Sequence, residues 1–233
     1  MRKQMKFLWI LGLMVIPMLL SNCSDEDAPL PFFFQVDENG YSRMNRNHLQ
    51  QQLNGVAKQA LSDAEKASLA FMREEELLAY DVYTELYKRY PLPIFSNIAQ
   101  SEKTHTEAVL VLLERYELND PAANHTTGVF TNTTLQNLYN TLLARGLQRE
   151  VAALQVGALI EEVDIADLKV QLAEKVDNQD IIMVYENLMK GSRNHLRAFV
   201  KNLKLRDVTY LPEVLSQSEY NAIINGDMER GPN

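Results

Sequence analysis

The sequence predicts an all-α protein, a four-helix bundle with one long crossover connection that contains a short helix. Three observations carry that prediction. Apolar residues recur at spacings of three and four along four long stretches, as on helices that each bury one face. The breaks between those stretches run short, long, short, the pattern of a bundle with one crossover. No segment alternates apolar and polar residues over a convincing strand length.

The chain has 233 residues, room for one domain plus appendages. Arg2, Lys3 and Lys6 precede an apolar run broken by Pro17, which marks residues 1–22 as a targeting segment. The run is too short and too poorly flanked for a permanent membrane span. It ends Leu20-Ser21-Asn22-Cys23, which resembles a bacterial lipobox, with Cys23 as the lipidated first residue of the mature chain; Asn22 departs from the usual Gly or Ala. Cys23 is the one cysteine in the sequence, so a disulfide within the chain is excluded. The formal net charge of −8 becomes −11 once Arg2, Lys3 and Lys6 leave with the signal peptide. Such an acidic chain argues against nucleic acid as a partner and against electrostatic docking on anionic lipid. The run Ser24-Asp25-Glu26-Asp27 looks like the acidic surface-export signals of Bacteroidetes-type lipoproteins. The expected location is the outer membrane, reached through lipid on Cys23, facing either the periplasm or the cell exterior.

Residues 23–60 read as a flexible linker. Pro29, Pro31, Asn39 and Gly40 interrupt them, and Asn45–Asn54 is Gln/Asn-rich with one weak helix. Phe32-Phe33-Phe34 is unusual in a tether and is expected either to pack back on the domain or to touch a partner. The domain proper, 61–203, opens on the capping box Ser62-Asp63-Ala64-Glu65. Its first long helix runs to about Tyr90, where Pro91-Leu92-Pro93 stops it. The second follows at once and ends before Asn119-Asp120-Pro121, so the two are expected to be antiparallel neighbours. The connection 118–146 holds a short amphipathic helix, Thr134–Arg145, closed by Gly146. The third long helix covers about Leu147–Lys175. After the turn Asp177-Asn178-Gln179-Asp180 the fourth runs to about Leu203. The tail, 204–233, carries a short helix near Ser216–Asn225.

Each long helix places a potential metal ligand in its buried stripe. On the first, Leu69, Met72, Glu76, Ala79, Tyr83 and Leu86 share a face, with Glu75 in a competing neighbour stripe. On the second, Glu102 and His105 lie one turn apart on one side. On the third, Glu161 is the single charge on its apolar face, bordered by Asp164. On the fourth, Tyr185, Leu188, Ser192, His195 and Phe199 share a face, while Glu186, Lys190, Arg193 and Arg197 look solvated. Burying unpaired carboxylates costs several kcal/mol each, unless cations neutralise them. Carboxylate oxygen and imidazole nitrogen suit iron, manganese or zinc. The rival account is a buried hydrogen-bond network in which Tyr80, Tyr83, Tyr87 and Tyr185 hold partly protonated carboxylates. His48 and His125 have no partner at ligand spacing and read as surface residues.

At these residues the chain resembles the ferritin-like superfamily and, more narrowly, over Leu61–Leu203, the bacterial and archaeal DUF2202 family. The matching stretches are Arg73-Glu74-Glu75-Glu76-Leu77-Leu78-Ala79-Tyr80-Asp81-Val82-Tyr83, Phe95-Ser96-Asn97-Ile98-Ala99 through Glu102-x-x-His105, Gly157–Leu168, and Tyr185–Leu196. The resemblance implies Glu76, rather than Glu75, as the ligand from the first helix, because Glu76, Ala79 and Tyr83 match the ferritin pattern. It implies Glu102 with His105 from the second, Glu161 from the third and His195 from the fourth. The fourth helix should bring Glu-x-x-His and brings Ser192-x-x-His195, so one bridging carboxylate is missing. Asp164, Glu162 or a water would take its place, or one of the two positions is weak. The implied cofactor is a pair of irons, with manganese or zinc as alternatives, and the implied chemistry is Fe(II) oxidation or peroxide handling, with Tyr83 donating an electron or proton. Any electron donor is external, since no cysteine follows Cys23. A lipid anchor and a 38-residue leader (23–60) are awkward to place on a ferritin shell, and a homodimer is the expected assembly. The other readings are a metal-sequestering or structural protein without turnover, and an interaction module whose metal site has decayed.

Overall fold

The computed structural model describes residues 33–230 except Glu38. The expectations for the signal peptide, Cys23 and the acidic run after it therefore lie outside the described residues. Ser62 caps the first long helix as expected, its side chain accepting from Glu65 N–H while the Glu65 carboxylate accepts from Ser62 N–H. In chain order the elements are β1 (Phe34–Val36), β2 (Ser42–Met44), α1 (Arg46–Asn54), α2 (Asp63–Arg89), α3 (Pro93–Arg115), α4 (Thr133–Gly146), α5 (Glu150–Glu174), α6 (Gln179–Lys204) and α7 (Gln217–Asn225). Among the described residues the protein is mostly helical, with one small sheet.

The four long helices lie in a ring. α2 packs chiefly on α3 and α5 on α6, and the ring is closed by α2 against α5 and α3 against α6. The short helix α4 rests on α2 and α5, and α7 on α6. Two apolar clusters fill the ring at different heights. One joins Leu78, Val82, Leu86, Phe95, Ile98, Leu154, Ile160, Ile165 and Phe199; the other joins Leu69, Met72, Val109, Leu112, Val184 and Leu188. Glu76, Glu102, His105 and His195 fall between the two clusters in sequence on their respective helices, and Glu161 lies between Ile160 and Ile165 of the first, so most of the polar layer sits between oily ones.

Several local expectations need correction. Residues 33–54, read as part of a linker, form the antiparallel hairpin β1–β2, in the register Phe34–Met44 and Val36–Ser42, followed by α1. Both β2 and α1 pack on α3. The strands are three residues long, below the length at which alternation is legible, and Phe33, Phe34, Leu49 and Leu53 supply the burial. Gly146 does not stop the short helix but is its last residue. The absent side chain makes room for Leu86, whose Cδ2 would lie 2.8 Å from a Cβ at that position. The fourth helix's supposedly solvated face is largely covered: Lys190 is buried, and Arg193 and Arg197 both bond the Glu229 carboxylate from the tail.

Candidate metal centre

Two ligand triads share one carboxylate. Glu76, Glu102 and His105 form the first, and Glu102, Glu161 and His195 the second; within each, one ligand atom per residue lies within 4.8 Å of the others. Glu102 Oε2 is 2.7 Å from His105 Nδ1, and Glu102 Oε1 is 2.8 Å from His195 Nδ1. Glu76 Oε2 lies 3.2 Å from His105 Nδ1, and Glu161 Oε2 3.4 Å from His195 Nδ1. Ligand atoms about 2.0–2.2 Å from one ion, at right angles, are separated by about 3 Å. The spacings match. All five residues are almost fully buried.

The donor atoms do not form a finished hydrogen-bond network. Glu76 Oε1, Glu102 Oε1 and His195 Nδ1 are buried without a hydrogen-bond partner, although the last two are only 2.8 Å apart. Orphaned polar atoms of this kind cost about 1–3 kcal/mol each, more when charged. Of the four tyrosines offered as an alternative support, only Tyr83 bonds a carboxylate of the triads. Its hydroxyl donates to Glu161 Oε1 at 2.5 Å, with the Gly157 carbonyl 3.1 Å away. Tyr185 bonds Ser68 instead, and Tyr87 is exposed. The residues present fit a pair of cations.

Electrostatics follow from crowding charge in a dry space. Burial pushes Glu76 and Glu161 up to about 7, against partial opposition from the histidines facing them. Burial also raises Glu102, but His105 and His195 on either side overcome it and hold Glu102 well below the usual carboxylate range. Burial disfavours the charged imidazoles, yet the facing carboxylates win and raise His105, and take His195 to about 9. Without cations the cluster keeps itself tolerable by holding protons.

The remaining candidates divide. Asp164 accepts from Ser192 Oγ, leaving Asp164 Oδ1 buried and unpartnered beside the position where a fourth-helix carboxylate is missing. Glu75 is buried with neither oxygen hydrogen-bonded, and burial, then Asp164 and Asp167, raises its carboxyl well above the usual range. Glu75, Asp164, Glu76 and Glu102 line one narrow cavity whose other walls are Leu78, Ala79, Leu138, Leu142, Ile160 and Val163, with room for about one water-sized molecule. Glu162 points elsewhere. Its carboxylate accepts from Tyr210 OH at 2.6 Å and from the backbone N–H groups of Glu213, Val214 and Leu215, which fastens the tail to α5. His125 is not a free surface residue: its Nε2 lies 2.8 Å from Asp81 Oδ2. His48 is half-buried on α1. Sequence reasoning missed Ser42, whose hydroxyl touches both site histidines. A serine in a three-residue strand carries no periodic signal.

The chain belongs to the family described as an uncharacterized protein domain (DUF2202), which matches residues 65–227. It is similar to the uncharacterized protein MJ0754 of Methanocaldococcus jannaschii, being 51% identical over 181 residues that make up 78% of this chain and 97% of that protein. The crystal structure of hypothetical protein MJ0754 from Methanococcus jannaschii matches with a TM-score of 0.72 at 51% identity, covering 75% of this chain and 99% of that one. All five residues of the two triads fall inside the matched 65–227 region, and Ser42 falls outside it.

Proposed function

We propose that this is a ferritin-like four-helix-bundle protein that binds two metal ions, iron by preference and manganese or zinc by the same donor set, and performs metal-dependent oxidation or peroxide handling. One observation carries the reading: the two oxygens of Glu102 face two different histidines, so a single buried carboxylate serves two ligand triads. When bound, two irons supply Fe(II) oxidation by dioxygen or peroxide. Glu76 with His105 and Glu161 with His195 would hold the ions, with Glu102 common to both triads. Asp164, which accepts from Ser192 Oγ, would stand in for the missing fourth-helix carboxylate. The Tyr83 hydroxyl donates to Glu161 Oε1, a position from which a proton can move to or from the carboxylate. The narrow cavity beside the triads favours a reactant of diatomic or peroxide size over an organic substrate. Reducing equivalents come from an external donor.

The test is metal analysis of protein purified without chelator, followed by stopped-flow mixing of Fe(II) protein with oxygen or peroxide. Two equivalents of metal and a ferric absorbance growing faster than in buffer support the reading. Two equivalents with no acceleration favour the second reading, a metal-sequestering or structural protein. That reading draws on Ser192, which leaves the pair one carboxylate short of the ferritin-like pattern. No bound metal removes both and leaves an interaction module.

The cellular setting is part of the same proposal and rests on sequence alone: an outer-membrane lipoprotein anchored through Cys23, facing the periplasm or the exterior, with a homodimer as its assembly. No helix among the described residues is long and apolar enough to cross a membrane. Radiolabelled palmitate incorporated by the parent chain and absent from Cys23→Ala is the expected result.

A further inference from the structure

His105 and His195 turn their Nδ1 atoms toward the carboxylates and their Nε2 atoms toward one hydroxyl. Ser42 Oγ lies 2.8 Å from His105 Nε2 and 3.3 Å from His195 Nε2. The two rings are stacked, with centroids 5.4 Å apart and planes 18° from parallel, which lets one oxygen reach both. Ser42 is fixed independently of the histidines. Its N–H donates to Ser101 Oγ at 3.0 Å, and the hairpin register pairs it with Val36. Phe34, on the partner strand, stacks on His105 with centroids 5.7 Å apart.

We propose that Ser42 is a positioning residue for the metal centre: its hydroxyl accepts the Nε2–H of both histidines and so holds both rings in the tautomer that offers Nδ1 to a cation. This rests on the two-metal reading. A neutral imidazole has one N–H and one lone pair, so a ring that coordinates through Nδ1 carries its proton on Nε2. That buried N–H needs an acceptor. A hydroxyl oxygen has two lone pairs, enough for both rings. In most metal sites each histidine has its own outer partner; here the site carboxylates crowd the Nδ1 side, and a single serine serves two rings. The hairpin is thus a wall of the centre, supplied by residues that precede the matched family region.

The full-length chain, stripped of metal, is titrated with Co(II) and followed by visible absorption. The parent is expected to take two equivalents. Ser42→Ala is expected to bind about 10- to 100-fold more weakly with an altered spectrum, the usual scale for losing an outer-shell partner. Ser42→Thr keeps the hydroxyl and is expected to restore most of the affinity. A second measurement uses the parent alone: nitrogen-15 histidine NMR of the Zn(II)-loaded protein is expected to show His105 and His195 both protonated at Nε2. Parent affinity and spectrum in Ser42→Ala, or an Nδ1-protonated ring at either position, overturns the assignment. If the parent binds two Co(II) and Ser42→Ala matches it, only the role of Ser42 falls. If the parent binds none, the two-metal reading falls and this inference with it. Should circular dichroism show that Ser42→Ala does not fold, the tautomer measurement decides.

Discussion

A Cβ atom added to Gly191 would lie 2.7 Å from both Cε1 and Nε2 of His105. α6 passes the ring with no side chain between them. Glycine in mid-helix costs roughly 0.5–1 kcal/mol relative to alanine, and here the close approach outweighs that propensity. Gly191→Ala is therefore expected to destabilise the protein by about 1–3 kcal/mol, the range for overpacking, and to weaken metal binding by shifting the ring. Urea unfolding of the metal-free protein checks the first part; a variant more stable than the parent contradicts it.

Glu102 differs from its neighbours in serving both triads. Glu102→Ala is expected to reduce bound metal from two equivalents to none. Glu76→Ala and Glu161→Ala are each expected to leave one, and Glu102→Ala/His105→Ala to leave none. Elemental analysis after gel filtration reads the difference. Equal losses in all the single variants would argue for one mononuclear site.

Stability of the metal-free protein is expected to fall as pH rises from about 5 to about 9. Glu76 and Glu161 sit near 7 against an ordinary 4.5, so the native state keeps protons that the unfolded chain has already released. His195 sits near 9 against 6.5; its contribution is complete below 6.5 and is lost as pH climbs through 9. Glu102 is depressed, so its contribution is constant across this window and is lost only in acid. Tm is expected to drop by at least about 3 °C over the window, and saturating Zn(II) to flatten the slope by replacing the protons. Differential scanning calorimetry at several pH values tests the sign.

Tyr83→Phe removes the donor to Glu161 without emptying much volume. Metal stoichiometry is expected to remain at two, with a stability loss of about 1–3 kcal/mol for the buried carboxylate left short of a partner. Fe(II) oxidation is expected to slow by about 100-fold or more, the lower end of what a positioned proton donor contributes. An unchanged rate would restrict Tyr83 to a structural part.

Glu162→Ala is the contrasting case, since Glu162 binds Tyr210 and the backbone at 213–215. It is expected to lower stability by about 1–3 kcal/mol and to increase proteolysis of the tail. Two equivalents of metal should still bind. Loss of one would return Glu162 to the ligand set.

The helical elements were legible because their signals are local and redundant. Ser62 announces a capping box, and Pro91-Leu92-Pro93 separates two helices whose stripes repeat every three to four residues. The triads were legible for a related reason: a charge such as Glu161 in an otherwise apolar stripe breaks a rule that burial enforces. What escaped was set by tertiary contact. The hairpin at 34–44 has no periodicity to read, and Glu162 follows Glu161 directly, so only the fold shows that one faces the ring interior and the other the tail. The Asp81–His125 pair likewise joins residues far apart in the chain.

Glu76, Glu102 and His105 belong to α2 and α3, whereas Glu161 and His195 belong to α5 and α6, each couple packing first on itself. A nascent polypeptide emerging from the ribosome has at most the earlier trio, and the second triad exists only after His195 has been made and the long crossover has closed. On the two-metal proposal, a partly synthesised chain would therefore hold at most one of the two triads.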